Sequence, residues 1–348
     1  TGFTLGSGGD YNSNGRTYVA WCWKAGGAAS SNTDGSGTTN VQVSANTSYG
    51  FSIVTYTGGG SGSANSDSGD SFGHGLSSAP KLVICKRRNS ANGWPVYHAS
   101  TALGALSLNG TNALDTSSFL FAKKHPTSSV VYLGNNPEIN ATGSTYVAYC
   151  WSEVANFSKF SSYVGDGSST KKITTGFKPR FLLVKPSSST GNWNIFDSER
   201  PANTATVTYS LQPNLSNAEY QSEPGITFLD DGFTLNSVNT NGTTYIYAAY
   251  AATVDESAIN DCFVDSPQNA AEPSDSGIGG EVVGNYATLN PLDNNGLTLS
   301  NGNLDVSRST NSWATCKATF GLASDKWYFE YTVNSGASNQ IIGVFKTE

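Results

Sequence analysis

Thr17-Tyr18-Val19-Ala20-Trp21-Cys22-Trp23 returns as Thr145-Tyr146-Val147-Ala148-Tyr149-Cys150-Trp151 and, more loosely, as Thr244-Tyr245-Ile246-Tyr247-Ala248-Ala249-Tyr250. Each copy follows a turn-prone pair: Asn14-Gly15, Thr142-Gly143 or Asn241-Gly242. β-Branched and aromatic residues dominate all three, which suits a pleated, half-buried strand. The phrase reads as the strand that closes a module, and most of the chain as copies of that module.

Around the phrase the register is tight. Pro80 and Pro179, Lys86 and Lys185, Trp94 and Trp193, and Tyr146 and Tyr245 all stand 99 residues apart. Four anchors at one offset signal an internal repeat. The period exceeds that of solenoid units, which run to roughly 50 residues, and fits two small self-sufficient domains in tandem. Gly2-Phe3-Thr4-Leu5 also recurs verbatim as Gly232-Phe233-Thr234-Leu235, just before the third copy. Residues 1–27 therefore read as the end of a truncated module, 28–49 as a linker or long loop, 50–153 as module 1 and 154–254 as module 2. Residues 255–284, acidic and rich in Pro, Ser and Gly, read as a second linker.

Inside each module a Gly/Ser/Asp loop (58–75, 165–170) leads to a strand with an apolar centre and charged ends. These are Lys81-Leu82-Val83-Ile84-Cys85-Lys86 and Arg180-Phe181-Leu182-Leu183-Val184-Lys185, a pattern that suits a strand covered on both faces. The following strand alternates as Trp-x-Val/Ile-Tyr/Phe from Trp94 and Trp193. No stretch sustains a 3.6-residue period. The expected class is all-β, a tandem of antiparallel β-sandwich modules of jelly-roll or concanavalin-like type.

Composition agrees. Of 348 residues, 11% are aromatic, enough to build cores and to argue against disorder, and 38 are Gly, suited to many short turns. The net charge of −7 and the small basic groups Lys86-Arg87-Arg88, Lys123-Lys124 and Lys171-Lys172 argue against nucleic acid as a partner. No apolar run approaches the roughly 18–20 residues of a membrane helix. The absence of Met reads as an interior fragment of something longer. Cys22, Cys85, Cys150, Cys262 and Cys316 make no CxxC pair, and Cys22 and Cys150 hold equivalent places in the repeated strand, where a small buried thiol packs well.

Catalytic chemistry finds little purchase. His74, His98 and His125 are the only histidines, none in a nucleophile-elbow context, and His98 aligns with Asp197. Asp230-Asp231, and Asp197 with Glu199, are the nearest approach to the paired carboxylates of a glycosidase, and both read as turn acids. Gly58-Gly59-Gly60-Ser61-Gly62 lacks the Gly-Lys-Ser/Thr of a phosphate loop and reads as a flexible turn. Asp67-Ser68-Gly69-Asp70 and Asp293-Asn294-Asn295-Gly296 lack the spacing of a calcium loop. No catalytic residue, metal ligand or cofactor is expected. Trp94 and Trp193 are the aromatic binding candidates, since an indole face stacks on a sugar ring, although repetition at one module position favours a core role for both. If sugars are bound, the less repetitive loops 61–75, 101–128 and 199–223 are the better places for that contact.

Lys326-Trp327-Tyr328-Phe329-Glu330-Tyr331, followed by Ile342-Gly343-Val344, resembles the first half of a SPRY-type, concanavalin-like β-sandwich. The lead-in Asn285-Tyr286-Ala287-Thr288-Leu289-Asn290-Pro291-Leu292 is similar to that of such units in structural proteins of marine bacteriophages, so 285–348 reads as a partial SPRY-like sandwich. The tandem modules, with residues 80–86, Trp94 and 146–151, also resemble repeated domains of those large virion proteins. The resemblance implies a non-enzymatic virion structural protein, a tail fibre or similar appendage that contributes to host attachment. It implies assembly in the host cytoplasm and a homo-oligomer, trimeric by analogy with fibres, with other virion proteins and a host surface glycan as partners. The alternative is a capsid or tail decoration protein completed by neighbouring chains. A polysaccharide depolymerase and a secreted bacterial adhesin stand behind these two.

Overall fold

The structure, a computed structural model, describes residues 2–200, 206–235, 238–252, 289–300, 305–307 and 315–318. The chain divides into two compact units, Thr1–Ile259 and Asn260–Glu348. Every element among the described residues is a strand. The first module carries β1 (Ser30–Ser31), β2 (Thr39–Asn46), β3 (Phe51–Thr57), β4 (Asp67–Gly73), β5 (Leu82–Arg87), β6 (Pro95–His98), β7 (Leu106–Ser107), β8 (Val130–Gly134) and β9 (Thr145–Trp151). The second carries β10 (Ser158–Val164), β11 (Lys171–Thr174), β12 (Phe181–Pro186), β13 (Asn194–Asp197), β14 (Thr206–Ser210), β15 (Tyr220–Leu229), β16 (Gly232–Leu235) and β17 (Thr244–Tyr250).

The repeated phrase lies at the centre of each large sheet. β9 runs antiparallel between β3 and β5, with Ala148 opposite both Val54 and Cys85. β17 runs the same way between β10 and β12. The full orders are β1-β2-β3-β9-β5-β6-β7 and β10-β17-β12-β13. A second sheet closes each sandwich: β4-β8 in module 1 and β11-β16-β15-β14 in module 2. The chain is thus all-β, built of antiparallel sandwich modules.

Strand alternation sends side chains into two different cores. Val54, Tyr56, Val83, Cys85, Tyr146, Ala148 and Cys150 fill the interior of module 1. Tyr163, Leu182, Val184, Phe196, Tyr245, Tyr247 and Ala249 fill that of module 2. The opposite faces of the two large sheets meet each other. Phe51, Leu82, Ile84, Val96, Leu106 and Trp151 pack there against Phe160, Leu183, Trp193, Ile195, Ile246 and Tyr250. Strands β5 and β12 are therefore covered on both faces, and the second cover is the neighbouring module.

This shared core corrects the expectation of two self-sufficient domains in tandem. At about 1.5–3 kcal/mol per buried large apolar side chain, separating the modules would cost on the order of 20 kcal/mol. A loosely tethered pair of domains has no such interface.

Two further expectations change. Residues 28–49 are not a free linker: Val41 and Val43 are buried, and β2 extends the sheet alongside β3. Part of the expected loop 58–75 is strand β4, which pairs with β8. Its sequence, DSGDSFG, offers one large apolar side chain, the fully buried Phe72, too little for a composition-based strand signal. The first copy of the repeated phrase, by contrast, lies in a segment without any assigned strand, although Trp21 and Trp23 lie against the shared core.

In the second unit β18 (Leu289–Asn294) pairs with β21 (Cys316–Ala318), and β19 (Thr298–Ser300) with β20 (Asp305–Ser307). The expected linker 255–284, the stretches 326–331 and 342–344 that carry the SPRY-like resemblance, and Cys262 lie outside the described residues.

Candidate interaction surface

The two tryptophans at one module position have different surroundings. Trp193, at the mouth of β13, is 1% exposed. Its backbone N–H donates to Asn214 Oδ1 at 2.9 Å, and its Nε1–H crosses to module 1 and donates to Ser107 O at 2.8 Å. An indole so enclosed cannot receive a sugar. Trp193 is a core residue, and its candidacy as a platform falls on burial.

Trp94 makes the equivalent backbone hydrogen bond, to Asn109 Oδ1 at 2.7 Å, yet its ring remains only half-buried against the shared core. Lys86 Nζ stands 5.5 Å from the ring centroid and donates to Asn92 O. Gly93 leaves room for two polar groups. A Cβ there would lie 3.2 Å from Glu138 Oε2 and 3.5 Å from Asn109 Oδ1. A partly open indole with an ammonium against its ring, and with a carboxylate and an amide beside the adjacent Gly93, is a set able to stack on and hydrogen-bond a polar ring. Trp94 was legible as a candidate and Lys86 only as a repeat anchor; Asn109 and Glu138 gave no sequence signal, because folding brings separate segments together.

The glycine loop 58–62 is a fixed piece of architecture rather than a flexible turn. Asn140, fully buried, donates to Asp70 Oδ2 at 2.8 Å and accepts from the Gly59 N–H at 3.0 Å. Ser61 N–H adds a bond to the same carboxylate at 3.2 Å. A Cβ on Gly59 would collide with the Gly37 carbonyl, so glycine is needed for close approach. Module 2 has a related device, with the asparagine 99 residues on but a different aspartate: Asn239 Nδ2 donates to Asp166 Oδ1 at 2.8 Å and its Oδ1 accepts from Asp166 N at 3.1 Å. The Ser168 N–H leads several hydrogen bonds that hold the Asp166 carboxyl down to about 2.

The remaining chemical candidates are also structural. His98 is buried between the modules, its Nε2 3.1 Å from Tyr247 O and its Nδ1 accepting from Ser100 N at 3.2 Å. Burial brings it down to about 4, so the ring is neutral, with the proton on Nε2. His74 contacts Thr127 O and accepts from Leu76 N, and burial lowers it too. His125 Nδ1 meets Tyr97 Oη at 2.8 Å. Asp230 pairs with Lys178 and Asp231 with Lys172, at the surface. Asp197 is buried and pairs with Arg200 at 2.6 Å, while Glu199 reaches Arg180 at 2.9 Å, so neither couple faces a common substrate. Among the described residues no group of three His, Cys, Asp or Glu could hold a metal. Burial pushes the Cys85 thiol up to about 12, and Cys150 well above its ordinary range. Cys22, expected to be buried like Cys150, is exposed.

A shallow hollow of about 460 Å³ lies on module 2 between Asn156, Phe177, Lys178, Arg180 and Asp230. Its charged groups are largely engaged with each other or with Glu199, which leaves little to orient a ligand. No curated protein and no solved structure matches the chain. A family model described as a domain of unknown function, DUF7483, matches residues 1–253, both modules and the segment before them included, and the chain therefore belongs to that family.

Proposed function

We propose that the chain is a structural component of a bacteriophage virion, part of a tail fibre or similar appendage, and that it contributes to host attachment. The observation that carries this reading is the shared core. Two sandwiches joined face to face through Trp151, Trp193 and Tyr250 form a rigid body, which suits a load-bearing projection better than a hinged one. The SPRY-like resemblance in the C-terminal stretch supports the same assignment. Host contact falls to the surface around Trp94 and to the unlike loops of the two modules. In module 1 residues 108–129 run without a strand, whereas module 2 sends the β14–β15 hairpin through the corresponding region. Binding rather than catalysis is the activity assigned to this surface.

The test has two arms. Antibody-gold labelling of native particles should decorate slender projections, and the purified chain should bind host surface polysaccharide through a site that Trp94→Ala weakens about tenfold, the scale of one lost stacking contact. Label spread over a flat lattice, with no glycan retained, would replace the appendage by the decoration protein. Reducing ends released from the polysaccharide would replace both by a depolymerase.

A further inference from the structure

The first copy of the repeated phrase shows the burial of a sheet strand on one face only. In β9 and β17 the positions equivalent to 18, 20 and 22 point into their own module: Tyr146, Ala148 and Cys150, or Tyr245, Tyr247 and Ala249. The positions equivalent to 21 and 23 point outward, toward the shared core. In the first copy Trp21 and Trp23 are partly buried on that same shared core, whereas Tyr18, Ala20 and Cys22 are exposed, Tyr18 by 47%. The outer face is in place and the inner face is bare.

The anchoring of the outer face is specific. Trp23, Trp151 and Tyr250 hold the same position in the three copies, and they converge, with Trp23 ring centroids 6.0 Å from Trp151 and 5.5 Å from Tyr250. Trp21 Nε1 donates to the buried Asp197 carboxylate at 3.0 Å, and the Arg200 guanidinium stands 5.7 Å from its ring. The upstream tetrapeptide repeats the contrast. Phe233 and Leu235 of β16 are fully buried, while Phe3 and Leu5 of the identical Gly2-Phe3-Thr4-Leu5 are 62% and 47% exposed. One sequence is core in one place and bare in another because its partner strands are there in only one of them.

We propose that residues 2–23 are the last two strands of a third sandwich module, whose third large sheet packs onto the shared core beside the first two. The occupant of the bare face is the front part of a module of this same type. Strands like β10 and β12 would flank residues 17–23, and a strand like β15 would run beside residues 2–5. Its source is the same polypeptide on the N-terminal side of Gly2. In module 2, β15 enters β16 through the two-residue turn Asp230-Asp231, with Leu229 paired to Gly232, and so short a turn requires adjacent chain. Completion would follow the logic of strand addition at an open edge.

Hydrogen exchange tests this on two chains. In the chain of residues 1–348, Tyr18 to Trp23 should exchange with little protection while β9 and β17 are strongly protected. In a chain with residues 154–231 duplicated directly ahead of Gly2, protection of Tyr18 to Trp23 should rise about 100-fold or more. Unchanged exchange there, with β9 and β17 still protected, overturns the proposal. So does protection in the original chain that grows with concentration as the mass doubles, since it assigns the partner to a second copy. A pair of substitutions in the original chain guards against a duplicated segment that fails to fold. Phe3→Asp with Tyr18→Asp should leave the melting temperature unchanged, whereas Phe233→Asp with Tyr245→Asp should unfold module 2. Equal losses from the two pairs overturn the proposal as well.

Discussion

Modules 1 and 2 share four large-sheet strands in the same order, β3-β9-β5-β6 and β10-β17-β12-β13, yet equivalent residues in them do different things. Trp193 is sealed into the shared core, and Trp94 is half-open. Lys185 is fully buried, donating to Pro186 O at 2.7 Å and across to Thr111 O at 3.3 Å; Lys86 covers Trp94. His98 bridges to module 2, while its counterpart Asp197 receives Trp21. The sheet is a property of the module, but the fate of its outward side chains depends on the neighbour it meets.

The largest expected effect comes from truncating the two tryptophans. Trp193→Ala should cost about 3–5 kcal/mol, the range for a buried aromatic whose site cannot collapse, and it also strands a carbonyl at Ser107. Trp94→Ala should cost about 1 kcal/mol, and equal losses by denaturant titration would erase the distinction between the modules.

The inter-module His98 comes next. Its folded value of about 4 lies below its ordinary 6.5, so the unfolded chain binds the extra proton. The contribution is complete above pH 6.5 and is lost as pH falls toward 4, by up to about 3 kcal/mol. His74 loses stability in the same direction. His98→Gln should flatten the acid side of a stability–pH curve without abolishing it, and an unchanged slope would place the acid sensitivity elsewhere.

Lys185 acts on the other side of neutrality. Burial lowers it from 10.5 to about 8, a base whose charged form the fold disfavours. The contribution of Lys185 to stability should therefore rise with pH from about 8 toward 10.5, as the unfolded chain holds the proton longer. Between pH 8 and 9.5 the buried thiols of Cys85 and Cys150 act in the opposite sense, since the unfolded chain releases their protons first. The readout is therefore a difference: the stability–pH slope there should be more negative in Lys185→Met than in the parent chain, and equal slopes would remove Lys185 from the account.

The smallest effect is at the surface. Asp231→Asn breaks the exposed pair with Lys172 and should change stability by less than about 1 kcal/mol. A larger loss by thermal unfolding would mean that this turn does more than carry solvated charge.

Legibility followed the same division. β5 and β12 were readable because short apolar runs with charged ends belong to strands covered on both faces, although nothing in such a run names the cover. β4 and β2 were hidden: DSGDSFG and TNVQVSAN look like polar loops until β8 and β3 supply their ladders. At the candidate surface Trp94 stood out by its repetition, while Glu138 and Asn109 reach it only through folding.

By itself the sequence determined the internal repeat, its 99-residue register and its strand class. Each of these rests on local side-chain pattern and on similarity between copies. Only the tertiary structure decided that two large sheets share one core, which tryptophan is buried, and which face of residues 17–23 is left bare. Those outcomes depend on contacts between residues far apart in the chain, and a strand's own alternation records that a face is apolar without recording what will cover it.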